Sequence, residues 1–203
     1  MEVDSHIIKG KSATENGQNG ASEINGFAAS EAQPQEPTCL RMSDVKETAD
    51  FLLQRTEHRP RIGIVCGSGL GGLVDILQDK QEFDYKDIPH FPVSTVPGHA
   101  GKLVFGTLHN TTLVCMKGRV HGYEGYPMWK ITLPIRVMKE LGVDTLIVTN
   151  ASGGLNQQFS VGDLMLIKDH INLPGLAGLN PLVGLSDPSF GVRFPPLSRA
   201  YDL

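Results

Sequence analysis

Three short turns of this sequence are rich in residue types that can hold an anion. The first, turn 1 (residues 67–72), follows the apolar run 62–66 and contains four glycines and Ser68. Glycine lets backbone N–H groups approach a ligand, Ser68 adds a hydroxyl donor, and the opening of a helix favours negative charge. The same residues also fit a tight turn that binds nothing. Turn 1 is therefore a candidate phosphate cradle.

The spacing within turn 1 argues against the best-known phosphate and nucleophile motifs. Gly67, Gly69 and Gly72 fit G-x-G-x-x-G, but no acidic residue ends a following strand about 20 residues further on. The turn also lacks the lysine of a P-loop. Because Cys-Gly-Ser-Gly-Leu differs from the G-x-S-x-G elbow, Ser68 is predicted to bind an anion rather than to attack a substrate.

Two further turns carry complementary groups. In turn 2 (residues 118–127), Arg119 offers a planar fork for phosphate oxygens, and His121 can donate or carry charge near pH 7. In turn 3 (residues 149–154), backbone N–H groups at Ala151 or Ser152 would add neutral donors. A surface salt bridge for Arg119 and a structural role for His121 are the alternatives. Taken together, the groups favour an anion site.

Composition argues against several classes of function. The 203 residues carry a formal net charge of −4, whereas nucleic-acid binding needs a basic face, so no nucleic-acid partner is expected. No apolar run reaches the roughly 18 residues of a membrane span, and the amino terminus lacks the apolar core of a signal peptide. The three cysteines show no paired spacing, which favours a cytoplasmic location.

The histidines are too scattered to predict a metal centre. They show no H-x-x-x-H spacing, and no cysteine pair lies beside them. The histidines considered are His90, His99, His109, His121 and His170. No metal ligand is therefore assigned.

Strand-like and helix-like patterns alternate along the chain. A helix capped by Ser43 is predicted to bury Val45, Ala49, Leu52 and Leu53. Helical patterns cover 70–77 and 128–141, and Pro134 is expected near a first turn or at a kink. Strand patterns cover 62–66, 83–85, 103–108, 111–116, 143–148 and 164–167, with a hairpin turn at His109-Asn110. This alternation predicts an α/β fold with a central mixed sheet flanked by helices, and ligands at the carboxyl ends of its strands.

Two segments of the chain are predicted from composition. Residues 1–40 are polar and lack an apolar period, which indicates a disordered tail, and residues 41–203 form the folded domain. Because the last segment supplies no closing helix or strand, we expect the domain to be incomplete at its carboxyl end.

Five stretches of the chain carry a family resemblance. They read GSGLGG (67–72), PGHAG (97–101), GRVHGYEGYP (118–127), VTNASGGLN (148–156) and DHINLPG (169–175). Together they resemble the trimeric purine nucleoside phosphorylases of the animal, inosine- and guanosine-cleaving type. The resemblance implies a nucleoside phosphorylase fold and a reversible reaction in purine salvage, in which a purine ribo- or deoxyribonucleoside and orthophosphate give the free base and (deoxy)ribose 1-phosphate. It implies a homotrimer and no cofactor, since phosphate is a co-substrate.

The resemblance also implies roles for individual residues. Phosphate would be held by Ser68, His99, Arg119, His121 and the Ala151 backbone. The nucleoside would contact Tyr123, and Phe194 would reach the ribose site of a neighbouring subunit. His121 and Glu124 would be the catalytic residues, with Glu124 orienting turn 2 through hydrogen bonds.

Some features depart from this family. Ser152, Gly122 and Val120 replace residues that the family commonly carries, and no stretch matches the segment that reads the purine. We therefore expect the chain to bind phosphate and to turn over poorly. A methylthioadenosine phosphorylase and a truncated, non-catalytic subunit of the same trimer are the alternatives.

Overall fold

The computed structural model describes residues 39–95, 101–184, 187–194 and 196, and within them the chain forms five strands. They are β1 (Ile62–Cys66), β2 (Gln78–Asp84), β3 (Lys102–Leu108), β4 (Thr111–Lys117) and β5 (Thr145–Val148). One mixed sheet joins them in the order β2-β3-β4-β1-β5. β1 is parallel to both of its neighbours, whereas β2, β3 and β4 pair antiparallel. The predicted α/β fold with a central mixed sheet is confirmed.

Two helices cover one face of this sheet. α1 (Met42–Leu53) and α2 (Met128–Glu140) pack against each other and against apolar side chains of β1, β3 and β4. Three of the four residues predicted for the apolar face of α1 are buried, Val45, Ala49 and Leu52, whereas Leu53 is only partly buried. Burial of a side chain such as Val45 or Leu52 contributes about 1.5–3 kcal/mol. A third, four-residue helix, α3 (Leu173–Leu176), lies outside this core.

The opposite face of the sheet packs on a short 3-10 helix, Gly71–Ile76. Its Val74 contacts a second buried cluster that contains Ile64, Cys66 and Cys115. The predicted α-helix over 70–77 is wrong in type, because two adjacent glycines disfavour the α conformation. Cys66 and Cys115 are buried and form no disulfide bond.

Element boundaries differ from the predictions at several points. The hairpin turn is confirmed, with φ of 46° at His109 and 62° at Asn110, the left-handed values that such turns require. β2 begins at Gln78 rather than at 83. α1 begins one residue before Ser43, so Ser43 is not the cap; Arg41 precedes the helix and pairs with Asp44 in its first turn.

Pro134 is not in a first turn but seven residues into α2. Proline removes one internal helix hydrogen bond there. Pro134 is buried, as are Leu133 and Val137 of the same helix.

The chain from β5 onward is much more exposed than the core. Among the described strands β5 lies at one edge of the sheet, and its four residues are exposed. The predicted strand at 164–167 is wrong, since these residues form no regular element and Leu164 is 97% exposed. An apolar run forms a strand only where a neighbouring strand accepts its hydrogen bonds.

The domain boundaries stay predictions. Nearly all of the predicted tail, 1–40, lies outside the described residues, which all belong to the unit Pro37–Leu203. Among the described helices, none is both long and apolar enough to cross a membrane.

Candidate functional site

Turns 1, 2 and 3 leave the sheet at the carboxyl ends of its parallel strands. β1, β4 and β5 are parallel neighbours, so their carboxyl ends point the same way. The register pairs Cys66 with Lys117 and Val65 with Val148, which places the last residues of all three strands side by side. Turns 1, 2 and 3 begin within two residues of these positions. The sheet itself therefore brings the turns together.

Thr149 joins turn 1 to turn 3. The backbone N–H of Gly67 donates to Thr149 Oγ1 at 2.8 Å, and the same hydroxyl donates to the carbonyl of Val65 at 3.0 Å. The approach is so close that a Cβ on Gly67 would lie 2.3 Å from the Thr149 carbonyl oxygen. Glycine is thus required at 67 for lack of space. The requirement for glycine at 67 therefore comes from this close contact and not from the general flexibility of a glycine-rich turn.

Arg119 joins turn 2 to turn 3. Its Nη1 donates to the backbone carbonyl of Thr149 at 3.0 Å, and the side chain is half-buried. Arg119 also lines an apolar cleft of about 190 Å³ with Met116 and Ile131. A guanidinium beside such surface is held more rigidly and interacts more strongly with an anion than one in open water.

Glu124 fixes the conformation of turn 2. Its side chain is 1% exposed, and one oxygen accepts the His121 N–H at 2.8 Å. The other oxygen accepts the Thr95 N–H at 2.7 Å and the hydroxyls of Ser94 and Thr95, each at 3.1 Å. Glu124 therefore ties turn 2 to the loop that precedes residue 96.

These bonds set the charge state of Glu124. Burial raises the pKa of the carboxyl, but the hydrogen bonds from Thr95 and His121 outweigh burial and lower the pKa from 4.5 to about 2. Glu124 is consequently a fixed anion at neutral pH. The same oxygen that accepts the His121 N–H also lies 3.3 Å from His121 Nδ1.

His121 and Tyr123 form a stacked pair at the open side of turn 2. Their ring centroids are 4.7 Å apart with 14° between the planes. The Tyr123 side chain is 75% exposed, so its ring is available to cover a ligand. Arginine, imidazole and an aromatic surface thus lie within five residues of one another.

The other predicted residues are placed less completely. Ser68 and Ala151 are exposed and lie one and two residues from the Gly67–Thr149 contact. Phe194 is 84% exposed on this chain, and His99 lies outside the described residues. The assignment of all these residues to phosphate and nucleoside stays a prediction.

One feature of turn 1 differs from the prediction. The segment that follows Leu70 is a six-residue 3-10 helix, so the predicted contribution of a helix dipole is dropped. Within the described part of the chain, no group of three or more His, Cys, Asp or Glu residues could hold a metal ion.

Sequence reasoning missed two positioning residues. Thr149 is the first residue of turn 3, and Tyr85 is the last residue of the strand predicted at 83–85. The Tyr85 hydroxyl donates to the Gly118 carbonyl at 2.6 Å, just before Arg119, and its backbone N–H donates to the Gly101 carbonyl at 2.8 Å. Neither role has a sequence signal, since each depends on contacts between distant segments.

Together these contacts define an α/β protein with cationic and neutral donors where parallel strands end. Such an edge can bind a small oxyanion and present it to a second substrate. Residues 61–203 match the phosphorylase superfamily, and the chain belongs to this family.

Two curated relatives are similar in sequence to most of this chain. Purine nucleoside phosphorylase from Bos taurus is 62% identical over 159 residues, which are 78% of this chain and 55% of that protein. Purine nucleoside phosphorylase 1 from Bacillus subtilis (strain 168) is 53% identical over 158 residues, 78% of this chain and 57% of that protein. The chain thus spans about half the length of the curated relatives it matches. The resemblance found in the sequence is confirmed.

A solved structure agrees with the fold. Schistosoma mansoni purine nucleoside phosphorylase in complex with inosine superposes with a TM-score of 0.73 at 50% identity, covering 79% of this chain and 56% of that one. A second structure, purine nucleoside phosphorylase in complex with ribose-1-phosphate, gives 0.75 at 51% identity, covering 82% and 61%. The nucleoside phosphorylase fold is therefore shown over most of the chain.

Proposed function

We propose that this chain binds orthophosphate where turns 1, 2 and 3 meet and takes part in the phosphorolysis of purine nucleosides. The observation that carries the proposal is the double contact at Thr149, which joins Gly67 of turn 1 and Arg119 of turn 2 to turn 3. Relatives at 53–62% identity that are named purine nucleoside phosphorylases support the reaction class.

The phosphate would be held by groups of opposite or neutral charge. Arg119 would supply a cationic donor, His121 a ring N–H, and Ser68 and the Ala151 N–H neutral donors. His99 is proposed as a further donor on the strength of the resemblance. Glu124 would not contact phosphate; its bonds to His121 and Thr95 hold turn 2 in place. The site needs no cofactor in this scheme, because phosphate is itself a substrate.

The proposed reaction breaks the bond between ribose C1′ and the purine nitrogen. Positive charge develops on the ribose as the base departs, and the bound phosphate stabilises that charge. A phosphate oxygen then bonds to C1′, giving ribose 1-phosphate, while the base leaves with the electron pair and takes up a proton. Positioning and electrostatics suffice, so no covalent enzyme intermediate is required.

Aromatic side chains would shield the ribose. Tyr123, which is stacked on His121 and largely exposed, would lie along the sugar. Phe194 is proposed to do so from a neighbouring subunit of a homotrimer. Excluding water at this position would favour phosphorolysis over hydrolysis. We also propose a cytoplasmic location.

The proposal is tested by the phosphate-dependent release of hypoxanthine from inosine. We expect slow turnover that requires phosphate and that falls at least about a hundredfold in Arg119→Ala and in His121→Ala, as for other charge-stabilising groups. Arg61→Ala is the matched control, because Arg61 is an exposed arginine at the opposite end of β1 that pairs with Asp144.

Three results would count against the proposal. Release without phosphate would contradict phosphorolysis, and full rates in both site variants would contradict the site. Phosphate binding with no turnover at all would contradict catalysis by this chain while retaining the phosphate site.

A further inference from the structure

We propose that Thr149 is a positioning residue whose side-chain hydroxyl sets the geometry of the phosphate site. The inference rests on the proposed phosphate binding and deepens it. Thr149 itself would not contact phosphate. It would act through Gly67, the first residue of turn 1.

The hydroxyl is held in a single orientation. Its proton is directed at the Val65 carbonyl, 3.0 Å away, so a lone pair faces the Gly67 N–H at 2.8 Å. Val65 also accepts the Thr149 backbone N–H at 3.1 Å, which continues the β1–β5 pairing by one residue. A hydroxyl can donate one hydrogen bond and accept up to two. Here it donates one, to Val65, and accepts one, from Gly67. The path of the chain as it enters turn 1 is thereby fixed.

The backbone carbonyl of Thr149 makes the contact with turn 2. It accepts from Arg119 Nη1 at 3.0 Å, so one residue contacts both Gly67 of turn 1 and the cation of turn 2. A guanidinium has five N–H groups, so this single bond orients the fork and leaves it able to bind an anion. Because the carbonyl belongs to the backbone, side-chain substitutions at 149 test the hydroxyl alone.

The alternative is that Thr149 acts only through its preference for extended backbone at the end of β5, and this alternative predicts a different result. Threonine and valine have nearly the same shape, and both favour extended backbone. Thr149→Val therefore keeps the shape and removes the hydroxyl, which leaves the Gly67 N–H without this acceptor. Thr149→Ser keeps the hydroxyl and removes the methyl group. If only strand preference matters, valine should serve better than serine.

The test is the affinity of the full chain for inorganic phosphate, measured by isothermal titration calorimetry. We expect Thr149→Val to raise the Kd about tenfold, equivalent to about 1.4 kcal/mol. Thr149→Ser is expected to stay within about twofold of the unsubstituted chain. Thr48→Val is the matched control, since it removes a buried hydroxyl that donates to Pro89 and lies in α1. It should lower stability without changing the Kd.

A second readout does not depend on phosphate. Hydrogen exchange of the Gly67 amide should accelerate in Thr149→Val and not in Thr149→Ser or Thr48→Val, because the amide loses its acceptor only in the first. Unchanged Gly67 exchange in Thr149→Val, or an unchanged Kd, would overturn the positioning role and leave the phosphate site standing. Absence of phosphate binding in the unsubstituted chain would overturn the site, and this inference with it.

Discussion

Glu124 offers the sharpest prediction, because one buried carboxylate ties turn 2 to the loop at 94–95. Glu124→Gln keeps the shape and removes the charge. An amide has one acceptor oxygen and a donor NH₂ group, which would face either the Thr95 N–H or the His121 N–H. A buried donor is then left without its acceptor, and such a loss costs about 1–3 kcal/mol. Urea denaturation, followed by the fluorescence of the single tryptophan, Trp129, measures the free energy of unfolding.

The pH dependence of the free energy of unfolding gives a second value for the contribution of Glu124. The pKa of Glu124 falls from 4.5 in the unfolded chain to about 2 in the folded one, which corresponds to about 3 kcal/mol of stability. Because the folded pKa is lowered, this stability is fully present above pH 4.5 and is lost as the pH falls towards 2. Integrating between the two values, about 2 kcal/mol should be gone by pH 3.

The unsubstituted chain and Glu124→Gln should therefore converge in acid. We expect a gap of about 2–3 kcal/mol at pH 7 that shrinks steadily below pH 4.5. Glu57→Gln is the control, because Glu57 is exposed on the surface. A gap that stays constant from pH 7 to pH 3 would refute the claim that charge-assisted hydrogen bonds hold turn 2.

Two further substitutions test the packing beneath the turns. Gly67→Ala should lower the free energy of unfolding by at least about 2 kcal/mol, since the added Cβ would meet backbone atoms of Thr149 and force the chain apart. Near-native stability in urea denaturation would show that the approach is not tight. Tyr85→Phe should cost about 1–3 kcal/mol, because it leaves the Gly118 carbonyl without its hydroxyl donor. An unchanged denaturation midpoint would contradict this bond.

The predictable part of this protein is the part set by short-range pattern. The apolar run that becomes β1, the hairpin at His109-Asn110 and the apolar face of α1 all follow from periodicity and turn chemistry. The meeting of turns 1, 2 and 3 was also predictable, since parallel strands direct their carboxyl ends to one edge.

What could not be predicted depends on the register between strands. Thr149 meets Gly67 across 82 positions of sequence, and a shift of one residue in the β1–β5 pairing would turn its side chain away. The apolar residues at 164–167 show the opposite failure, because their pattern is strand-like and yet they pair with no strand among the described residues. The sequence of a short segment does not show whether a neighbouring strand is available to pair with it.

Titration of the chain with orthophosphate tests the central claim most directly. If turns 1, 2 and 3 form one oxyanion site, calorimetry should show saturable binding at a single site, weakened at least about tenfold by Arg119→Ala and unaffected by Arg61→Ala. Absence of saturable binding, or equal affinity in the Arg119→Ala variant, would contradict the account.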